Sequence, residues 1–171
     1  MDFLEITPQE LNEGACKLIG KDWMLVTAGN REKVNTMTAS WGGLGEMWAR
    51  PAAFVVIRPT RYTKEFVDAS DTLSLTFYPE RYRKELSYLG SVSGRDEDKI
   101  RRSGLTVAFY QDTPYFEEAR IVMIVRKLYA DTYRPSCFVD RKLTETLYPQ
   151  HDFHTLYICE IQKVLTAAGR S

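Results

Sequence analysis

Apolar residues along this chain fall mostly in short runs rich in β-branched and aromatic side chains. Trp23–Thr27 (WMLVT), Ala53–Ile57 (AFVVI), Thr72–Tyr78 (TLSLTFY), Leu105–Tyr110, Ile121–Tyr129 and His154–Val164 each read as a strand. The run from Ile121 to Val125 is apolar at every position, as a strand covered on both faces requires. Asn35–Trp41 alternates, with Thr36, Thr38 and Ser40 on one face and Met37, Ala39 and Trp41 on the other. Helical spacing is rarer. Thr60–Ala69 carries Tyr62, Phe66 and Val67 on one stripe, with Thr60 as the expected N-cap after Pro59. Glu80–Leu89 places Tyr82, Leu86 and Leu89 together; Asp96–Arg102 runs from acidic to basic, and Cys137–Leu147 is a fourth candidate. Strands do not alternate regularly with helices as a doubly wound sheet requires. The pattern fits a mainly β chain, a closed or half-closed barrel with peripheral helices.

Length, charge and cysteine content narrow the class. The 171 residues show no repeat and no Pro/Gly/Ser linker, so one domain over 1–171 is expected. Its 23 basic and 23 acidic side chains cancel, which leaves no chain-wide basic field for nucleic acid or an anionic membrane surface. No apolar run has the length to span a bilayer, and the acidic start lacks the pattern of a secretory signal. Cys16, Cys137 and Cys159 are odd in number and widely separated, which suits reduced thiols in a cytoplasm.

Four segments carry candidate chemistry. The first is NTMTASWGGLG at 35–45, a strand with three hydroxyls on one face leading into a loop with Gly42, Gly43 and Gly45. Glycine permits close backbone approach and Trp41 offers a flat apolar surface, a combination suited to a flat heteroaromatic ring. An ordinary half-exposed strand ending in a glycine turn has the same spacing. The second is Arg58-Pro59-Thr60-Arg61-Tyr62-Thr63, where two arginines precede a helix start and could cradle a phosphate. The third, Ser93-Gly94-Arg95-Asp96-Glu97-Asp98-Lys99, puts three acids in the first turn of its helix, a poorer setting for an anion. Ser93 and Lys99 remain able to meet a ligand. In the fourth, His151-Asp152-Phe153-His154, the two histidines fall on opposite faces of an entering strand, so no metal site is expected. His154 at a barrel mouth is a candidate donor or proton-transfer group.

These segments, NTMTASWGG at 35–43, ARPAAFVVIRPTRYTKEF at 49–66, SGRDEDKI at 93–100 and HDFHTLYICEI at 151–161, resemble the flavin-reductase-like family of FMN-binding split barrels, which includes the flavoredoxins. The resemblance implies a Greek-key barrel that forms a homodimer, with FMN near the subunit interface. It implies that Thr36, Met37, Thr38, Ala39, Ser40 and Trp41 lie along the isoalloxazine ring, with Thr38, Ser40 and Trp41 foremost. Arg58, Arg61, Tyr62 and Thr63 are implied near the ribityl phosphate. Ser93 and Lys99 would close over the cofactor, and His154 would lie by the flavin as the catalytic candidate. NAD(P)H would be the electron donor, and an oxygenase or redox protein a partner. Two alternatives use the same barrel: an FMN electron carrier without reductase activity, and a barrel holding another ligand such as haem.

Overall fold

The computed structural model describes residues 3–168, built chiefly around antiparallel strands. The strands are β1 (Phe3–Ile6), β2 (Met24–Gly29), β3 (Val34–Ala39), β4 (Gly42–Met47), β5 (Arg50–Ile57), β6 (Thr72–Phe77), β7 (Val107–Tyr110), β8 (Thr113–Phe116), β9 (Ile121–Thr132) and β10 (Thr155–Ala167). The α-helices are α1 (Thr63–Ala69), α2 (Arg83–Ser91), α3 (Lys99–Ser103) and α4 (Lys142–Leu147). None of the described helices is long and apolar enough to cross a membrane.

One sheet runs in the order β3-β2-β6-β9-β10-β5-β4, and β7 with β8 forms a separate hairpin. The long β10 pairs with β5 through Thr155–Glu160 and with β1 through Val164–Ala167, while β9 follows its other edge. Two register shifts in the β9–β10 ladder, at Ile158/Cys159 and Ile161/Lys163, bend the pair and let the sheet coil. Coiling brings distant strands together: Val26 and Met37 from one end of the order share a single core with Val55 and Ile57 from the other. The sheet is therefore rolled into a barrel. Its two terminal strands, β3 and β4, do not pair with each other, so the barrel is split along that seam.

The all-apolar run at the start of β9 is explained by two cores. Ile121, Met123 and Val125 face the barrel interior, whereas Val122 and Ile124 face outward beneath Leu86 and Leu89 of α2 and Phe116 of β8. This strand lies between β6 and β10, in the middle of the sheet as its sequence requires.

Several element boundaries differ from the sequence reading. Gly42, Gly43 and Gly45 are strand, not loop: β4 pairs with β5 from Gly42↔Val55 to Met47↔Arg50. Gly42 sits at φ +144°, and a Cβ there would fall 2.4 Å from the Phe54 carbonyl oxygen, so only glycine fits this approach. The strand through Asn35 ends at Ala39, which leaves Ser40 and Trp41 beyond it. Thr60 does not cap a helix. A turn closed by Arg61 N–H to the Arg58 carbonyl intervenes, and α1 starts at Thr63. Likewise α3 starts at Lys99 with Asp98 as its cap, accepting from the Arg101 amide, so the three acids precede the helix and do not fill its first turn. Residues 80–82 form a short 3₁₀ turn ahead of α2, and the fourth helix is confined to Lys142–Leu147 after a 3₁₀ turn at Pro135–Cys137. The strands β1 and β8 had no sequence counterpart; Pro114 interrupts the apolar pattern of β8.

Candidate functional site

A cleft of about 250 Å³ opens at the top of the seam. Its walls are Met37, Thr38, Ala39, Ser40 and Trp41 from the end of β3, Val56 from β5, Arg58 and Arg61 from the turn before α1, and His154 from the start of β10. Among the described residues β3 pairs only with β2. The backbone N–H and C=O groups on its other side are therefore free for a ligand, a property of edge strands. Trp41 is 45% exposed, and its ring lies 5.3 Å from that of His154.

The threonine row is divided by the fold. Thr36 is fully buried, its hydroxyl paired with that of Thr27 at 2.8 Å and in reach of the Val26 carbonyl. Thr38 donates to the Leu86 carbonyl of α2 at 2.5 Å. What the strand presents to the cleft is thus mainly backbone, with Ser40 and Trp41 at its exposed end.

The cations around the cleft differ in their partners. Arg58 donates to the Asp152 carboxylate at 2.6 Å and to the Leu147 carbonyl at 2.9 Å, and its guanidinium lies over the Tyr148 ring at 5.0 Å. The hydrogen bond from Arg58 holds the Asp152 carboxyl below its usual range. Arg61 donates to the Gly90 carbonyl at 2.9 Å. Next to it, Lys99 is buried and donates to the carbonyls of Leu89 and Val92 at 2.9 and 2.8 Å. Both therefore bind the C-terminal end of α2, where the unpaired carbonyls of a helix gather. Burial, with Arg61 nearby, lowers the Lys99 ammonium to about 8. Neither Arg61 nor Lys99 meets a carboxylate among the described residues. The acids that precede α3 are engaged elsewhere, Glu97 with Arg102 and Asp98 at its cap.

The remaining sequence candidates assemble one layer further out. Thr63 is buried and accepts from the Asn35 amide at 3.1 Å. Gly94 crosses against Asn35 so closely that a Cβ would lie 2.4 Å from its Oδ1. Ser93 stays in its own loop, accepting from the Arg95 amide at 3.2 Å. The Tyr62 hydroxyl accepts from Lys33 at 2.7 Å, and its ring lies under Arg95 at 4.5 Å. The structure thus brings Met37–Trp41, Arg58, Arg61 and His154 to one cleft. It sets Thr36, Tyr62, Thr63, Ser93 and Lys99 behind or beside it.

His154 is buried, and its Nδ1 lies 2.8 Å from the Tyr148 hydroxyl. Burial, reinforced by Arg58, lowers this imidazole to about 4, so it is neutral near pH 7. The sequence reading did not single out Tyr148 or Val56. The only hint of Tyr148 was the density of aromatic residues from Tyr133 to Phe153. Among the described residues no group of His, Cys, Asp and Glu is arranged to hold a metal ion.

An antiparallel barrel left open along one seam, with a ligand-sized cleft at that seam, defines the split β-barrel class. Residues 17–171 match the model of the flavin reductase like domain, and the chain belongs to that family. No curated protein sequence matches it. Among solved structures, an FMN-binding domain of a flavin reductases-like enzyme from Shewanella baltica OS155 superposes with a TM-score of 0.68 at 17% identity, covering 96% of this chain and 77% of that one. The flavoredoxin of Desulfovibrio vulgaris (Miyazaki F) gives 0.66 at 22% identity, over 85% and 69%. The styrene monooxygenase flavin reductase of Pseudomonas putida S12 gives 0.61 at 14%, over 86% and 80%. These likenesses establish the shared fold.

Proposed function

We propose that this chain binds FMN in the seam cleft and acts as an NAD(P)H-dependent flavin reductase, as a homodimer. The observation that carries the reading is a pair of cations without carboxylate partners among the described residues, Arg61 and Lys99, beside a cleft walled by an open strand edge and an exposed indole. A flat ring with hydrogen-bonding atoms along one edge suits the strand and Trp41, and a phosphate suits the cations. The chemistry that FMN supplies when bound is hydride acceptance from a reduced nicotinamide and onward electron transfer.

The chain's own residues would then hold and orient. The free N–H and C=O groups of 37–41 fix the ring edge, and aligned backbone donors favour negative charge on it. Arg61 holds the phosphate, with Lys99 adding positive charge behind it. Arg58, already neutralised by Asp152, ties the turn before α1 to the segment carrying His154. His154 places a neutral imidazole against the cleft. The homodimer draws support from large apolar side chains left in solvent, Trp41, Trp48 and Tyr129 among them. An oxygenase component is the proposed recipient of the reduced flavin, as the name of the styrene monooxygenase reductase suggests for that relative.

The test is direct. The purified full chain should carry a yellow chromophore or quench FMN fluorescence on titration, and mixing with NADH or NADPH in a stopped-flow instrument should bleach the flavin within seconds. No FMN binding by either measure overturns the reading. FMN binding without bleaching replaces the reductase with an electron carrier, the role to which the name flavoredoxin points in the Desulfovibrio relative. Light scattering at the mass of one chain would remove the dimer.

A further inference from the structure

Residues 133–153 form a buttress of aromatic rings beside the cleft. Tyr133 packs edge-on against Phe138, and Phe138 in turn touches Tyr148 and Phe153 at centroid separations of 5.7 and 5.8 Å. Tyr148 and Phe153 stack at 4.8 Å, and both are buried. The Arg58 guanidinium also lies over the Tyr148 ring. Tyr148 is thereby fixed by the rings of Phe138 and Phe153 and by the Arg58 cation.

The hydroxyl so fixed has one partner among the described residues, Nδ1 of His154, and the two rings meet nearly perpendicular at 85°. Burial raises the phenol above its usual range, so it keeps its proton. A buried phenol proton left without an acceptor would be costly, and Nδ1 is the acceptor in reach. A neutral imidazole that accepts at Nδ1 carries its own proton on Nε2. We propose that Tyr148 is a positioning residue that holds His154 in the Nε2–H form, so that the cleft receives a hydrogen-bond donor and not a base. The ring atom left for a ligand is then a donor suited to a carbonyl oxygen or an unprotonated ring nitrogen. The use of that donor rests on the flavin reading above; the tautomer does not.

The chain contains only two histidines, and His151 is exposed, so imidazole ¹⁵N spectra of the labelled full-length protein resolve the question. In the unmodified protein His154 should show a protonated Nε2 and an unprotonated Nδ1 near pH 7. Tyr148→Phe keeps the ring packing and removes only the donor; it should convert His154 to a mixture of tautomers and weaken FMN binding roughly three- to tenfold, the worth of one neutral hydrogen bond. Phe138→Leu loosens the buttress but keeps the hydroxyl, and should leave the Nε2–H form dominant. An Nδ1–H form in the unmodified protein, or a tautomer population unchanged by Tyr148→Phe, overturns the proposal. A tautomer change on Tyr148→Phe in a protein that fails to bind FMN supports the positioning role and removes only the flavin reading.

Discussion

Arg58 and the Arg61–Lys99 pair stand only three residues apart at their closest in sequence, yet the fold gives them different partners. Arg58 meets a carboxylate, and its charge is cancelled where it acts. Among the described residues Arg61 and Lys99 meet only carbonyl oxygens at the end of α2, which accept their hydrogen bonds without cancelling their charge. A motif with two arginines suggests a symmetric cradle. The structure shows one arginine paired with a carboxylate and the other bonded to a carbonyl, and only the second keeps an uncancelled charge for the proposed phosphate. Charge sites are thus better recognised by what the cations lack than by how many there are.

The largest effect expected from breaking this contrast comes from Lys99→Met. Two buried carbonyls lose a charged donor, which should lower the unfolding free energy by roughly 2–3 kcal/mol in urea denaturation. FMN affinity should fall as well, by about threefold to fivefold and less than for Arg61→Ala, since Lys99 adds charge behind the phosphate that Arg61 holds. A comparison of Arg61→Ala with Arg58→Ala sharpens it further. Arg61→Ala should cost about tenfold in FMN affinity and little in riboflavin affinity, because it removes a phosphate partner. Arg58→Ala should weaken both flavins alike by loosening residues 147–154. Equal losses for FMN and riboflavin in both variants would erase the distinction drawn here.

The smallest effects are in pH. Lys99 titrates at about 8 in the fold and near 10.4 in an unfolded chain. Between these values the unfolded chain binds more protons, so stability without ligand should rise with pH as the buried charge is discharged. FMN affinity should fall across the same window, because the charge that favours the phosphate is lost. Opposite trends in urea midpoint and FMN titration from pH 8 to 10, both absent in Lys99→Met, would confirm that one group underlies them. His154 works at the acid end. Its folded value of about 4 lies below the unfolded 6.5, so its neutral burial contributes stability that declines as pH falls from 6.5 toward 4.

Much of the barrel was legible in the residues. The doubly apolar Ile121–Val125 identified a central strand because only a position covered on both faces tolerates that composition. The glycine-rich stretch from Gly42 misled, since glycine signals a loop wherever the close partner backbone is unknown; here that partner is Phe54. Lys99 was visible as a charge, but the carbonyls that hold it belong to a helix end seven and ten residues away. Tyr148 escaped because its role is defined by a single hydrogen bond and a cluster of rings drawn from loop and turn residues, which have no periodicity. His154 and Arg61 could be singled out because each sits where a strand begins or a helix approaches, and such boundaries can be read from local pattern.

The unpaired side of β3 has a consequence for solubility. A strand edge open to a ligand is equally open to another strand, and the chain places no bulge, proline or lysine between Thr36 and Ala39 to discourage it. A bound flavin would serve as the edge's guard. Protein produced under flavin starvation should therefore associate and precipitate sooner than protein supplied with FMN, a difference that turbidity at matched concentration would reveal.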